Sequence, residues 1–258
     1  MIFYFSGTGN SLYAAKKIGE YIGDTIMNIT VALHEDLHFD FAPGETIGFV
    51  FPIYAWSAPK MVFDFIRRIN VKGHYIFAVG TYGQNIGRFD SFFEKAGIHL
   101  NGAFSLNMPN NYLLIWNKEK QDRCLERADK RITEICEAIY QRLEQIDIRC
   151  ELNGMPATEE QVSFAPNMNA QWSQTLCDTS EFYVTDACVG CGTCEKVCNG
   201  KTIRIENKRP TWHDNCTKCL ACLHLCPMQA IQFGQYTVGA GRYKNPKIST
   251  HELMINTN

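Results

Sequence analysis

Ile2-Phe3-Tyr4-Phe5-Ser6-Gly7-Thr8-Gly9-Asn10-Ser11 opens the chain with four apolar residues, then a run of glycine and small polar residues. A helical pattern on Leu12, Ala15, Ile18 and Ile22 follows. A buried strand that ends in such a loop and opens into a helix makes an anion site. Backbone N–H groups, the helix N-terminus and the hydroxyls of Ser6, Thr8 and Ser11 converge there, and the pattern suits a phosphate. The loop has neither the lysine of a P-loop nor the spacing of a dinucleotide fingerprint, which argues against ATP, GTP and a Rossmann NAD site.

Working outward, the same alternation continues. Further strands are expected at residues 25–29, 46–51, 75–80 and 102–106, most of them continuously apolar, as strands covered on both faces are. Between them Val62, Phe65, Ile66 and Ile69 repeat at helical spacing, with Ser57 as the expected N-cap and Pro59 in the first turn. Phe89, Phe92, Phe93 and Ala96 repeat it again, and Gly97 is placed to stop that helix. Strands alternating with helices predict an α/β fold, a doubly wound parallel sheet of five strands. From Lys118 to Ile146 one stripe carries Leu125, Ala128, Ile132, Ile135, Ile139, Leu143 and Ile146. It predicts a long helix covering the sheet, with a homodimer through that stripe as the alternative.

The 258 residues carry a formal net charge of -2, which leaves no electrostatic footprint for nucleic acid. No signal peptide is expected, and the longest nearly apolar stretch, Ile47 to Trp56, falls far short of the ~20 residues of a membrane span. A cytoplasmic protein is therefore expected, in a compartment where structural disulfides are rare. The twelve cysteines then imply metal, catalysis or buried thiols. Cys124, Cys136 and Cys150 lack ligand spacing and read as inert.

Eight of the twelve form an internal repeat: Cys188, Cys191, Cys194 and Cys198, then Cys216, Cys219, Cys222 and Cys226 followed by Pro227. Two-residue gaps let three thiolates of one tight loop meet three corners of an iron–sulfur cube, while the fourth corner is reached from elsewhere. In a paired repeat each fourth cysteine crosses over. Cys188, Cys191, Cys194 and Cys226 are thus expected to hold one [4Fe-4S] cluster, and Cys216, Cys219, Cys222 and Cys198 the other. Zinc, the competing reading, draws C-x2-C pairs from separate hairpins and needs no third cysteine per loop. His213 and His224 flank the second motif, but eight thiolates already satisfy two cubes, so both read as surface or packing histidines.

The cysteine segment resembles bacterial two-cluster ferredoxins, with Ile203 and Ile231 matching the apolar residue after each motif. It departs from them at Asn199, where that family usually has proline. In its setting after strand one, the loop at Ser6 to Ser11 resembles the flavodoxin loop that cradles the FMN phosphate. That resemblance implies ring-flanking loops after the third and fourth strands, with Pro52, Tyr54, Ala55, Trp56, Thr81, Tyr82 and Gly83 as candidate cofactor contacts beside Ser6, Gly7, Thr8, Gly9, Asn10 and Ser11. Unlike ordinary flavodoxins, the stretch from Tyr54 to Ser57 contains no glycine.

Together the chain resembles a family of flavodoxin and two-cluster ferredoxin fusions. The expected organisation is a flavodoxin-like domain at 1–146, a connector at 147–180, a small α+β ferredoxin-like domain at 181–235 and a tail at 236–258. The implied function is electron transfer between two [4Fe-4S] clusters and FMN, with a redox partner protein or small electron acceptor. The alternatives are an FMN-dependent reductase of a small substrate, with the Asn107 to Trp116 segment (Asn110, Asn111, Tyr112) helping form the pocket, and a redox-sensing interaction protein with the long helix as its contact surface. No side chain is expected to act as an acid or base.

Overall fold

A computed structural model describes residues 1–84, 86–112, 117–149, 151–152, 155–156 and 178–255. The five expected strands are present as β1 (Ile2–Tyr4), β2 (Ile26–Asn28), β3 (Thr46–Pro52), β4 (Tyr75–Tyr82) and β5 (Gly102–Asn107). A sixth, β6 (Gln145–Asp147), pairs parallel to β5 and carries the sheet past residue 146. Every pairing is parallel and the order is β2-β1-β3-β4-β5-β6, the doubly wound flavodoxin-like arrangement extended by one short edge strand. The expectation of five strands missed β6 because its three residues carry a single apolar side chain, Ile146, which is exposed.

Phenylalanine fills the interior on both faces of the sheet. Phe3, Phe5, Phe49, Phe51, Phe77, Phe89, Phe93 and Phe104 are all fully buried. Each such side chain stabilises the fold by roughly 1.5–3 kcal/mol relative to exposure. Helix α1 (Asn10–Ile22) buries Leu12, Ala15 and Ile18 as their spacing requires. Helix α2 (Ile29–His34) follows β2 directly, and α3 (Lys60–Ile66) and α4 (Asp90–Lys95) stand where the two apolar repeats place them. Ser57 does not cap α3: Pro59 holds that position, while the Ser57 backbone pairs with Tyr54.

Helix α5 (Lys118–Tyr140) packs on α1 and β5 through Ala128, Ile132, Ile135 and Ile139, so most of the stripe is turned to the interior. It ends six residues before Ile146. Arg142 takes a left-handed conformation (φ 53), its N–H bonds Ile139 O, and the Leu143 N–H bonds Ala138 O. This closure usually announces itself with glycine. With arginine there, the sequence carried no stop signal, and the expected helix ran on through Leu143 and Ile146, both of which are exposed. Cys124 and Cys136 are buried, and burial pushes the Cys136 thiol up to about 11, in keeping with an inert group. Cys150 and most of the expected connector lie outside the described residues; Glu151–Leu152 and Met155–Pro156 pair antiparallel.

The second unit is built on two small antiparallel pairs, β7 (Phe182–Val184) with β10 (Ile231–Phe233), and β8 (Ile203–Glu206) with β9 (Arg209–Trp212). Its core gathers Phe182, Ile203, Leu223, Ile231 and Phe233. Val197, Cys219, Ala221 and Leu225 instead join the core of the α/β unit, as do Ile248 and Leu253 of the tail. The second unit thus keeps a core of its own and lends several apolar residues to that of the first. No described helix is long and apolar enough to cross a membrane.

Candidate functional site

The loops after β1, β3, β4 and β5 enclose a cavity of about 320 Å³ at the carboxyl ends of the strands. Its size is that of a small-molecule site, and its place is the crevice where a doubly wound sheet takes its ligand. Eleven of the thirteen residues expected here line it: Ser6, Gly7, Thr8, Asn10, Pro52, Tyr54, Ala55, Trp56, Thr81, Tyr82 and Gly83. Gly9 and Ser11 stand behind the wall. The Ser11 hydroxyl meets Thr81 Oγ1 at 2.8 Å, tying the phosphate-type loop to β4. Gly9, at φ 99, caps α1, donates its N–H to Ser6 Oγ and turns its open side toward the tail.

Two features fit this cavity to an anionic aromatic ligand. α1 begins with no side-chain cap and no acidic residue in its first turn, which leaves the positive end of the helix facing the loop. Among the described wall residues the only charged one is Lys218, from the cysteine-rich unit. Tyr54, Trp56 and Tyr82 supply aromatic surface. Tyr54 Oη is buried with no hydrogen bond of normal length, and burial holds its phenol well above the ordinary tyrosine range.

The loop after β3 closes tightly. Tyr54 and Ser57 exchange both backbone hydrogen bonds, at 2.8 and 3.0 Å, across Ala55 (φ 47) and Trp56 (φ 63). Two consecutive left-handed residues define a type I′ turn, which normally takes glycine or asparagine. Holding alanine and tryptophan there costs about 1–2 kcal/mol per residue. Strain of this kind persists where the surrounding structure over-determines it, and it gathers at ligand clamps.

The eight array cysteines fall around two small cavities. Cys188, Cys191, Cys194 and Cys226 line one small cavity, and Cys198, Cys216, Cys219 and Cys222 line another. None is in a disulfide. Backbone N–H groups approach three of the sulfurs: Thr202 to Cys198 at 3.2 Å, Ala230 to Cys226 at 3.3 Å and Lys218 to Cys216 at 3.4 Å. Such bonds favour thiolate over thiol and tune a bound cluster. Burial works the other way, pushing Cys194 and Cys216 up to about 12, so a cation must compensate the charge of a ligating thiolate. A zinc ion would draw four sulfurs to within about 2.3 Å of one point. Each cavity here is ringed by three closely spaced cysteines of one loop and a fourth from the other, the donor set of an iron–sulfur cube. The donor set fits a multi-atom cluster in each cavity.

The two cavities differ in where they face. Around the first, Cys191 is exposed, Val189 is 62% exposed and Met228 46%. The second is folded against the α/β unit. A Cβ on Gly7 would meet Cys219 O at 2.7 Å, Tyr54 Oη at 3.0 Å and Cys219 Cβ at 3.1 Å, so the glycine admits a direct approach of the cysteine loop to the phosphate-type loop.

Asn199, which stands where the resembled family has proline, is 3% exposed and joins the two units. It accepts from Thr30 Oγ1 at 2.8 Å, donates to Ser6 O at 3.2 Å and lies 3.5 Å from Cys219 Sγ. His224 is a packing histidine. Its Nδ1 accepts from the Tyr243 N–H at 3.0 Å, which leaves Nε2 to donate to Asn111 O at 2.6 Å. Burial lowers its pKa to about 4, so it is neutral. His213 is exposed. Of the Asn107 to Trp116 segment expected to help form a substrate pocket, Met108–Tyr112 line the cavity and 113–116 lie outside the described residues; Lys218 was not among the candidates, and the cysteine spacing gave no hint that one loop of the array would close a cavity of the other unit.

Residues 160–231 match the family described as the 4Fe-4S dicluster domain. No curated protein matches the chain. Solved structures similar to the first half include a putative flavoprotein from Bacteroides eggerthii at 17% identity, covering 50% of this chain and 96% of that one with a TM-score of 0.32. Another is a Fusobacterium nucleatum flavodoxin bound to flavin mononucleotide, at 18% identity, 53% and 95% coverage and a TM-score of 0.32. A Bacillus anthracis azoreductase aligns at 10% identity, 54% and 98% coverage and a TM-score of 0.34. The strand order and parallel register define the fold without them. The chain joins an α/β unit of flavodoxin topology to a 4Fe-4S dicluster segment, the architecture of a redox protein.

Proposed function

We propose that this chain is an electron-transfer iron–sulfur flavoprotein, passing single electrons between two [4Fe-4S] clusters and FMN. Clusters carry one electron at a time and a flavin carries one or two, so the combination joins one-electron to two-electron chemistry. The observation that carries the reading is the seam at Gly7, where Cys219 meets both the phosphate-type loop and Tyr54. It supports a route in which a cytoplasmic redox partner meets the exposed Cys188, Cys191, Cys194 and Cys226 centre, the Cys198, Cys216, Cys219 and Cys222 centre relays, and the flavin is the other terminus.

The chain's own residues bind and position. The Ser6–Asn10 backbone and α1 hold the phosphate; Tyr54, Trp56 and Tyr82 flank the ring; Asn199 and Gly7 fix the distance between the sites. Anaerobic purification followed by metal, sulfide and flavin analysis tests the reading. About eight iron, eight labile sulfide and one FMN per chain are expected for two cubes and one flavin. Zinc without sulfide, or the absence of flavin, would refute it.

A second reading, reduction of a small substrate at the flavin, is favoured by one observation: Asn110, Asn111 and Tyr112 close one side of the cavity with polar groups. Turnover of such a substrate without an added carrier protein would select it.

A further inference from the structure

The sequence assigns the tail no role, yet its polar groups reach the phosphate-type loop. Asn245 is fully buried, and its N–H bonds Thr8 O at 2.9 Å. Its Nδ2 donates to Asn10 Oδ1 at 3.1 Å, and the Tyr243 hydroxyl donates to the same oxygen at 2.6 Å. Asn10 Nδ2 in turn donates to Pro109 O at 3.1 Å, on the opposite wall of the flavin cavity. Gly9, left-handed at φ 99, presents its bare side to Asn245 Cβ at 3.1 Å and Ile248 Cβ at 3.2 Å, measured from where a Cβ would stand. Farther along, Glu252 pairs with Lys16 of α1 at 2.7 Å, and the Ile255 N–H bonds Lys196 O at 2.8 Å.

Three consecutive residues of the phosphate-type loop, Thr8, Gly9 and Asn10, are therefore each held from behind by the tail. A loop that binds phosphate through backbone N–H groups works only if those groups are already aimed, since ordering a free loop on binding draws on the binding energy. The α/β unit alone supplies one side of this support, through Ser6 Oγ and the Ser11–Thr81 contact. The other side arrives from beyond the cysteine array. His224, between two cluster cysteines, ties Tyr243 to Asn111 and so fixes the tail at the point where it leaves the second unit.

We infer that residues Tyr243 to Ile248 are a positioning element of the flavin phosphate site, pre-organising the Thr8–Asn10 backbone so that phosphate affinity depends on the C-terminal tail. This deepens the proposed function and rests on it. The tail residues touch no reacting atom; they act through Thr8, Gly9 and Asn10.

The test compares FMN with riboflavin, which shares the ring and lacks the phosphate, by titration into full-length, cluster-loaded, flavin-depleted protein. In Tyr243→Phe, which removes only the hydroxyl on Asn10, FMN affinity is expected to fall ~3- to 10-fold, the loss from one hydrogen bond. Riboflavin affinity and iron content are expected to stay as in the wild type. Asn245→Ala, which removes the amide from Asn10 and from the Lys247 N–H while keeping the backbone bond to Thr8 O, is expected to weaken FMN with the same selectivity, and serves if Tyr243→Phe does not fold. Unchanged FMN affinity in either folded variant would overturn the inference, as would an equal loss for both flavins, which would mark the tail as a general structural brace. A wild-type chain that takes up neither flavin would overturn the functional reading as well, a result distinct from a wild type that binds FMN and variants that bind it equally.

Discussion

The two cysteine loops follow one backbone path with different side chains. Two and four residues after Cys188 the chain has Gly190 (φ 69) and Gly192 (φ 75); at the same steps after Cys216 it has Lys218 (φ 45) and Leu220 (φ 57). Left-handed backbone is open to glycine and costs other residues about 1–2 kcal/mol. The first loop, exposed at Val189 and Cys191, takes the relaxed option. The second gives it up, and both side chains it gains are used: Leu220 is buried in the core of the second unit, and Lys218 lines the cavity at the carboxyl ends of the strands. The repeat thus comprises a loop that faces outward and a loop that faces a neighbouring site.

The sharpest way to break this comparison is to remove one ligand. Cys226→Ser is expected to abolish the cluster of Cys188, Cys191 and Cys194, about half of the iron, while the seam cluster and the flavin remain, read by iron analysis and electron paramagnetic resonance. Loss of the Cys216, Cys219 and Cys222 centre alone would mean that the ligands do not cross. A smaller effect is expected at the seam: in Gly7→Ala the new Cβ meets Cys219 O, so stability to urea is expected to fall by about 1–3 kcal/mol, as for other overpacked contacts. Reduction of the flavin through the clusters is expected to slow in the same variant. Full retention of both properties would show that the units are not held at this point. Least in size, Lys218→Gly makes the second loop match the first. Relief of the left-handed strain is expected to add up to about 1 kcal/mol to stability, while FMN binds more weakly. Unchanged binding would assign the lysine to the seam and not to the cavity.

Much of this was legible before any coordinates. Five of the six strands of the sheet, the loop after β1 and the 4Fe-4S segment all follow from local pattern: continuous apolar runs, small residues at a strand end, cysteines at fixed steps. What was not legible depends on contact between distant segments. The end of α5 at Tyr140 is made by an arginine in a conformation that glycine usually signals. The type I′ turn at Ala55–Trp56 carries no turn residue at all. Asn199 reads only as a departure from a ferredoxin pattern until Ser6 and Thr30 are seen beside it. The tail has no periodicity to read, because its polar side chains answer to Thr8 and Asn10, more than two hundred residues away.

The central claim is that charge passes between the cysteine-held centres and the flavin within one chain. It is tested most directly by anaerobic reductive titration of the purified protein, followed by rapid mixing with a one-electron donor. About four electrons per chain are expected, one for each cluster and two for the flavin, with the iron–sulfur absorbance falling before the flavin band. Uptake of only two electrons, or flavin reduced at the same rate whether or not the clusters are present, would contradict the account.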